Sequence, residues 1–243
     1  TRNRYCQFYQ REFLSKISPS SAMRRESRKK IRYFKPNLSY SQEGEDLVLK
    51  RLFEGRESGF YIDVGAHHPY RFSNTAVFYE KGWRGVNIDP NPGTAALFDR
   101  YRPYDVNLEL GINNSSEPLD FYIFNEAALN TFDPKTAAEL ISSGKWELLH
   151  KISVQQKTLS EVLDRYLPQG KKIDFLTIDV EGIGYEVLTS NDWSKYLPDV
   201  VLIEVWGDLA LKSLLSMPES EFLSSYGYQL IAKTVNTAFF QRT

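Results

Sequence analysis

The chain has 243 residues, of which 42% are hydrophobic and 25% charged, and this composition predicts one globular α/β domain with an extension. No apolar run approaches the roughly 18 residues that a membrane-spanning helix needs. Cys6 is the only cysteine, which excludes an intramolecular disulfide and a cysteine-based zinc site. The cytoplasm is therefore the expected compartment.

The formal net charge of −1 conceals an uneven distribution of charge along the chain. Residues 1–35 contain 11 Lys or Arg and 2 Asp or Glu, whereas the remaining residues contain 19 and 29. We expect a basic helical extension over 1–37 and the functional domain over 38–243. The basic residues either fold back on the acidic body or make a peripheral contact with a membrane or an anionic substrate. They lack the interleaved aromatic residues of a nucleic-acid groove, so no nucleic-acid partner is expected.

Apolar segments typical of buried strands alternate with helical patterns along the rest of the chain. In chain order the predicted elements are helix 41–53, strand 59–65, helix 73–82, strand 83–90, helix 93–102, strand 104–112, strand 119–125, a partly helical insertion over 133–150, a strand and a helix over 152–167, strand 172–182, helix 185–193, strand 198–207, helix 217–227 and a strand pair over 228–242. The turn at 113–118 predicts a hairpin between 104–112 and 119–125. The alternation as a whole predicts a doubly wound, mostly parallel sheet that ends in an antiparallel pair.

Polar groups follow the first two predicted strands, where ligands bind in such sheets. Asp63 ends the first strand, Gly65 makes the turn, and Asp89 ends the second strand 24 residues later. This spacing is shared with dinucleotide-binding proteins, in which an acidic residue binds the ribose. A pyrophosphate site needs three glycines, and the turn "DVGAHHP" has one. An acidic turn suits a cationic adenosyl ligand, S-adenosylmethionine, better than NAD; the alternative is that both carboxylates only cap helices.

Three segments resemble the FkbM-type S-adenosylmethionine-dependent methyltransferases. They are "SYSQEGEDLVL", "YIDVGAHHPYRFSNTAVFYEKGWRGVNIDPNP" and "IDFLTIDVEGIGYEVL", and the resemblance extends over 38–243. It implies a class I methyltransferase (Rossmann-like) fold and O-methylation, commonly of sugar hydroxyls. It also implies that the cofactor contacts are Asp63, Gly65, Ala66, Asn74, Thr75, Asp89, Gln42 and Glu45. Gly184 departs from the pattern, since many members carry a carboxylate there, and this departure weakens a metal assignment.

A second group of polar residues follows the later strands and marks the predicted site of chemistry. Asp179 and Glu181 follow one buried strand, Glu204 ends its neighbour, and His67 and His68 follow the first strand. Neighbouring carboxylates raise one another's pKa, which makes a base competent near neutral pH. We expect His68, Asp179 and Glu181 to be the candidate bases, with His67 behind them. Alternatively Asp179, Glu181 and Glu204 bind Mg²⁺, which lowers the pKa of acceptor hydroxyls.

The segment "NEAALNTFDP", residues 125–134, is interpreted as a lid or substrate loop, and Asn130 and Thr131 in it fit a family element. Aromatic residues form either a platform for a sugar ring or part of the core. These residues are Tyr70, Phe72, Trp146, Trp193 and Trp206.

The sequence therefore predicts an S-adenosylmethionine-dependent O-methyltransferase. Its expected acceptor is saccharide-containing, a sugar hydroxyl of a glycan or of a glycosylated metabolite. Two alternatives stay open: an NAD-linked oxidoreductase, and a binding module that keeps the cofactor fold without catalysis.

Overall fold

The computed structural model describes residues 37–205 and 210–243. The basic segment 1–35 and Trp206 lie outside these described residues. Among the described residues, no helix is both long enough and apolar enough to span a bilayer.

The strands, numbered in chain order, are β1 (Phe60–Val64), β2 (Arg84–Ile88), β3 (Val106–Leu108), β4 (Gly111–Ile112), β5 (Leu119–Phe124), β6 (Leu148–Val154), β7 (Gln156–Lys157), β8 (Phe175–Ile178), β9 (Val200–Glu204), β10 (Tyr228–Lys233) and β11 (Thr237–Arg242). The helices are α1 (Glu45–Leu52), α2 (Ala76–Glu80), α3 (Thr94–Tyr101), α4 (Pro134–Ser142), α5 (Leu159–Tyr166), α6 (Gly184–Thr189), α7 (Leu211–Leu214) and α8 (Pro218–Ser225). A 3₁₀ turn covers Ala127–Leu129.

Seven of the described strands form the main sheet, in the order β10-β11-β9-β8-β1-β2-β3. The pairs from β9 to β3 are parallel, whereas β11 is antiparallel to both β9 and β10. This confirms the predicted doubly wound, mostly parallel sheet with an antiparallel C-terminal strand. The chain order reverses between β1 and β8, so the ligand crevice of such a sheet is expected beyond their carboxyl ends.

Both faces of the sheet are buried, which explains why its central strands are apolar throughout. Successive side chains of a strand point to opposite faces. Ile62 and Leu176, paired in β1 and β8, belong to the core on one face, and their neighbours Tyr61 and Phe175 belong to the core on the other. Helices on each face cover these side chains.

The hairpin predicted between 104–112 and 119–125 is wrong. The first segment is divided into β3, which joins the main sheet, and β4, which pairs with β7 in a separate small sheet. β5 instead pairs antiparallel with β6, with Phe121 opposite Ile152. The partner strand β6 begins at the end of the predicted, partly helical insertion 133–150, after α4 ends at Ser142, and continues into the strand predicted from residue 152. A local turn signal did not decide the pairing, because a more distant segment offered a longer antiparallel partner.

Candidate active site

Gly65 brings the turn after β1 into contact with the end of β8. Its φ is +82°, and a Cβ atom on it would lie 1.6 Å from the carbonyl oxygen of Asp179. The backbone N–H groups of Gly65 and Ala66 donate to the carbonyl oxygen of Ile88, at 2.9 and 3.1 Å. Only glycine allows this approach, which joins the carboxyl ends of β1, β2 and β8 at one point.

Asp89, at the end of β2, is buried and organises the two loops beside it. One carboxylate oxygen accepts from the backbone N–H of His67 at 2.7 Å. The other accepts from the backbone N–H and the side-chain amide of Asn91, both at 2.8 Å. Burial raises the pKa of Asp89, and these N–H donors act in the opposite direction.

Asp63 lies beneath the turn, where it anchors a buried polar network. Its carboxylate accepts a hydrogen bond from the Thr75 hydroxyl at 2.6 Å. The hydroxyl oxygen of Thr75 in turn accepts a hydrogen bond from the guanidinium of Arg102 at 2.7 Å. Arg102 is fully buried and also donates to the Ser73 hydroxyl at 2.8 Å and to the carbonyl oxygen of Pro69. Burial raises the pKa of Asp63 to about 6. The network therefore fixes loop 65–75 from below.

The two histidines of this loop have different positions. His67 lines the cavity above the sheet, and burial together with the charge of Arg71 lowers the pKa of its imidazole. His68 accepts hydrogen bonds at Nδ1 from the backbone N–H groups of Tyr70 and Arg71, at 3.0 and 2.9 Å. His68 thus caps the turn and is not among the described residues that line the cavity.

Asp179, Glu181 and Glu204 form an acidic cluster. One carboxylate oxygen of each lies within 4.8 Å of the others. The Asp179 side chain opens on the cavity and is exposed to solvent there. Its desolvation by the surrounding residues, the charge of Glu204 and a hydrogen bond with Glu204 raise the pKa of Asp179 well above its usual range, and Asp63 and Glu45 raise it further. Burial and the charge of Asp179 raise the pKa of Glu181 to about 8. These groups carry fewer negative charges at neutral pH than isolated carboxylates would, and a nearby cation would restore their ionisation.

Segment 126–133 covers the cavity and is bonded to three of the loops that follow parallel strands. Arg71, after β1, forms a two-pronged ion pair with Glu126 at 3.1 and 3.2 Å. Asn130 donates to the side-chain oxygen of Asn91, after β2. Thr131 donates through its hydroxyl to the carbonyl oxygen of Glu181, after β8, at 2.7 Å. The segment is therefore a cover held at three points.

The cavity under this cover has a volume of about 420 Å³, within the range usual for small-molecule sites. Seven of the predicted catalytic, cofactor and metal residues line it: Gln42, Gly65, His67, Asp89, Asp179, Glu181 and Glu204. Asn130 of the predicted loop and two of the predicted aromatic residues, Phe72 and Trp146, also line it. Six predicted site residues are not among the described lining residues: Glu45, Asp63, Ala66, His68, Asn74 and Thr75. The roles of all these residues stay predictions. The negative charges of Glu45 and Asp63 raise the pKa of Asp179, which does line the cavity.

Three residues that organise the site were missed in the sequence. Arg71 and Asn91 hold the cover, and Arg102 holds the loop below. Asn91 lies two residues after the predicted ribose carboxylate, so its position was a usable signal. Arg102 ends a helical pattern, where an arginine is usually exposed, and nothing in the sequence marks it as buried.

The charge of the cavity fits S-adenosylmethionine better than a dinucleotide. The charged side chains among the described lining residues are those of Asp89, Glu126, Asp179, Glu181, Glu204 and Arg71. Arg71 is already paired with Glu126, so a pyrophosphate would meet uncompensated carboxylates. A ligand with a sulfonium and an ammonium group, and without phosphate, suits this lining.

The strand order, the glycine turn beside the end of β8 and the acid at the end of β2 define a class I methyltransferase. A model of the methyltransferase FkbM domain matches residues 63–230, more than half of the chain. The chain belongs to the FkbM methyltransferase family, and S-adenosylmethionine is its methyl donor.

Other comparisons add little to this assignment. Among solved structures, a TehB-like S-adenosylmethionine-dependent methyltransferase from Corynebacterium glutamicum aligns with 92% of this chain and 100% of its own, at 9% identity and a TM-score of 0.40. A search of curated proteins found no match.

Proposed function

We propose that the chain transfers the methyl group of S-adenosylmethionine to a hydroxyl oxygen of a saccharide-containing acceptor, in a glycan or a glycosylated metabolite. The observation that carries this proposal is the convergence of Asp179, Glu181 and Glu204 on the cavity that Asp89 also lines. One end of the cavity then suits an adenosyl ribose, and the other provides bases for an acceptor hydroxyl.

Asp89 and its neighbours hold the cofactor in this proposal. The carboxylate of Asp89 already accepts three N–H bonds and a hydrogen bond from the Thr94 side chain, and a carboxylate has about four acceptor positions. A ribose hydroxyl therefore replaces one of these donors, and the side-chain amide of Asn91 is the most easily moved. Gly65 lines the cavity at the adjacent turn, and the side of its backbone that lacks a Cβ atom packs against the carbonyl oxygen of Asp179.

The acidic cluster supplies charge and a base. When bound, S-adenosylmethionine supplies a methyl group on a positively charged sulfur, which keeps the bonding electrons as the methyl leaves. The carboxylates of Asp179 and Glu181 neutralise positive charge at this end of the cavity, and one of them takes the proton of the acceptor hydroxyl. General-base catalysis contributes roughly 10²–10⁴-fold in rate.

A hydroxyl acceptor follows from the same groups. A sugar hydroxyl is a weak nucleophile at neutral pH and needs its proton removed as it reacts, whereas an amine in its free form does not. Carboxylates also accept hydrogen bonds from neighbouring sugar hydroxyls. The cluster is therefore better matched to O-methylation of a polyol than to methylation of an anionic acceptor.

The same three carboxylates also suit Mg²⁺, as a second use of the cluster. Mg²⁺ prefers oxygen ligands at 2.0–2.1 Å, so oxygens on opposite sides of the ion are about 4 Å apart. The cluster spacing of up to 4.8 Å needs only small side-chain movements to reach this. Activity that is lost in EDTA and restored by Mg²⁺ would support metal binding, and activity unchanged by EDTA would leave the carboxylates as bases.

Calorimetry with S-adenosylmethionine, followed by mass spectrometry of reactions with a panel of glycosides, tests the proposal. We expect binding, a methyl ether as product, and a loss of roughly 100-fold or more in kcat for Asp179→Asn. Asp120→Asn is the matched control, since Asp120 is exposed and pairs only with the exposed Lys151 among the contacts seen. Product methylated on nitrogen or on a carboxylate, or wild-type turnover by Asp179→Asn, would contradict it.

A further inference from the structure

A second cleft lies beside the acidic cluster, between α4, the loop that follows β8 and the start of α8. Its volume is about 320 Å³. It shares Val180, Glu204 and Val205 with the first cavity. Glu204 therefore contacts both spaces, and a molecule in the second cleft lies next to the group that neighbours Asp179.

Two glycines leave this cleft open. Gly182 and Gly184 line it. A Cβ atom on Gly184 would make ordinary contacts, at 3.6 Å to Ile203 and 4.0 Å to Ile178. A Cβ atom is thus sterically acceptable at this position, and the absence of a side chain leaves volume that nothing else in the described chain fills.

The polar lining of the cleft is mainly acidic. Its described charged residues are Asp133, Glu139, Glu204, Glu219 and Lys135. The Oε2 atom of Glu219 is buried and accepts no hydrogen bond from the described residues. A buried acceptor without a donor is costly, and a hydroxyl or ammonium group of a ligand would satisfy it.

We propose that this cleft binds the acceptor ring adjacent to the reacting hydroxyl, and that this ring is neutral or carries an amine rather than a phosphate or a carboxylate. The inference rests on the proposed function, since it places the acceptor on the far side of the acidic cluster from the cofactor turn. Four carboxyl groups and one ammonium line the cleft, so an anionic ring would be repelled. Hydroxyl and ammonium donors match the free oxygen of Glu219 and the carboxylate of Glu204.

Gly184→Leu fills the cleft and tests the proposal. Gly184 begins α6, and leucine has the higher helix propensity, so the variant is expected to fold. Ala96→Leu is the control, because Ala96 is exposed on α3 and lies outside both cavities. Saturation-transfer NMR is measured on full-length protein saturated with S-adenosylhomocysteine, with methyl hexosides, glucosamine, glucuronate and glucose 6-phosphate as probes.

We expect signals from the methyl hexosides or glucosamine and weak or absent signals from glucuronate and glucose 6-phosphate. The affinity for the neutral or amine-bearing sugar should fall about tenfold or more in Gly184→Leu but not in Ala96→Leu. Unchanged sugar binding in Gly184→Leu, stronger binding of the anions, or no binding of any probe would overturn the inference. Calorimetry with S-adenosylmethionine on the same proteins distinguishes failure of the cleft proposal from failure of the proposed function. Intact cofactor binding with failed sugar binding rejects the cleft alone, whereas loss of cofactor binding in the wild type rejects the proposed function.

Discussion

The carboxylate of Asp89 makes hydrogen bonds within the protein before any ligand binds. It accepts from the backbone N–H of His67 and from both the backbone and side-chain N–H groups of Asn91. Asp89→Ala removes the ribose partner and frees the loop. We expect S-adenosylmethionine affinity to fall by about 1–3 kcal/mol, or roughly 5–150-fold, as for hydrogen bonds to a charged group. Calorimetry measures this directly. A dissociation constant equal to that of the wild type would mean that the ribose lies elsewhere.

We expect Glu181 to make catalysis depend on pH. Its pKa is raised to about 8, and that of Asp179 is raised well above its usual range, so the basic forms of the cluster are minor at neutral pH. Because the basic form grows as pH rises, kcat/KM should increase about tenfold per pH unit below about pH 8 and level off above it. The apparent pKa belongs to the coupled cluster rather than to one residue.

Glu181→Gln checks this assignment. The variant should lose most of the activity, and the remaining pH dependence should shift, because the charge that couples to Asp179 is gone. A pH profile of kcat/KM that is flat in the wild type between pH 6 and 8 would reject the cluster as the source of the base.

At the residue level, the acidic residues of the site could be predicted from the sequence more readily than the residues that position the loops around them. Asp89, Asp179 and Glu204 could be predicted because each ends or follows a buried strand, and strand ends meet at one edge of a parallel sheet. Arg102 could not be predicted. Its burial depends on Tyr79 and Phe98 packing against the guanidinium, at 5.7 and 5.1 Å, and on acceptors far away in the chain.

Among the elements, segment 126–133 positions Glu181 through Thr131. Glu181 has φ +51°, a left-handed backbone that is unfavourable for a residue with a side chain, and the Thr131 hydroxyl holds its carbonyl oxygen. Thr131→Val removes this bond with little change in volume, and it also removes the bond that the hydroxyl accepts from the backbone N–H of Asp133 at 2.9 Å. We expect kcat to fall about tenfold, as for a lost hydrogen bond of about 1–1.5 kcal/mol, while KM for S-adenosylmethionine changes little.

Thr131→Ser retains the hydroxyl and should restore kcat, which a purely structural effect of the missing methyl would not do. Thermal unfolding of both variants provides the control for stability. If Thr131→Val and Thr131→Ser have equal kcat, the bond to Glu181 does not position the base.

The helices and parallel strands were predictable because their apolar spacing depends on local sequence and on burial of both sheet faces. The pairing of β5 was not. Only Phe121 and Phe124 of its residues are buried, which does not specify one partner, and the choice of β6 depends on the return path after α4. The segment that covers the cavity was recognised as a loop, but its three bonds depend on residues between 39 and 55 positions away.

On the scale of the whole molecule, the raised carboxyl pKa values link stability to pH. His67 and His68, whose pKa values are lowered by burial, bind fewer protons in the folded state, but above about pH 6.5 most of each imidazole is neutral in both states, so the carboxyl groups dominate. Asp179 and Glu181 bind protons more tightly in the folded state than in the unfolded state. The folded state therefore loses stability as pH rises from about 6.5 to about 8. The melting temperature should fall across this range.

Added S-adenosylmethionine should reduce this fall, since its positive charge favours the ionised cluster and its binding stabilises the folded state. Glu181→Gln should reduce it as well, because one of the two titrating groups is removed. Differential scanning fluorimetry at several pH values measures both effects. A melting temperature that rises over this range in the wild type would contradict the assignment of raised pKa values.

The position of β11 also affects how the protein is made. β9 and β10 leave the ribosome before β11, the strand that finally separates them. During synthesis, the apolar edge of β9 that faces away from β8 is therefore unpaired. Until residues 237–242 emerge, that edge is open to mispairing or to another nascent chain, as exposed strand edges generally are. Pairing of β11 with β9 thus protects the newly made sheet from aggregation.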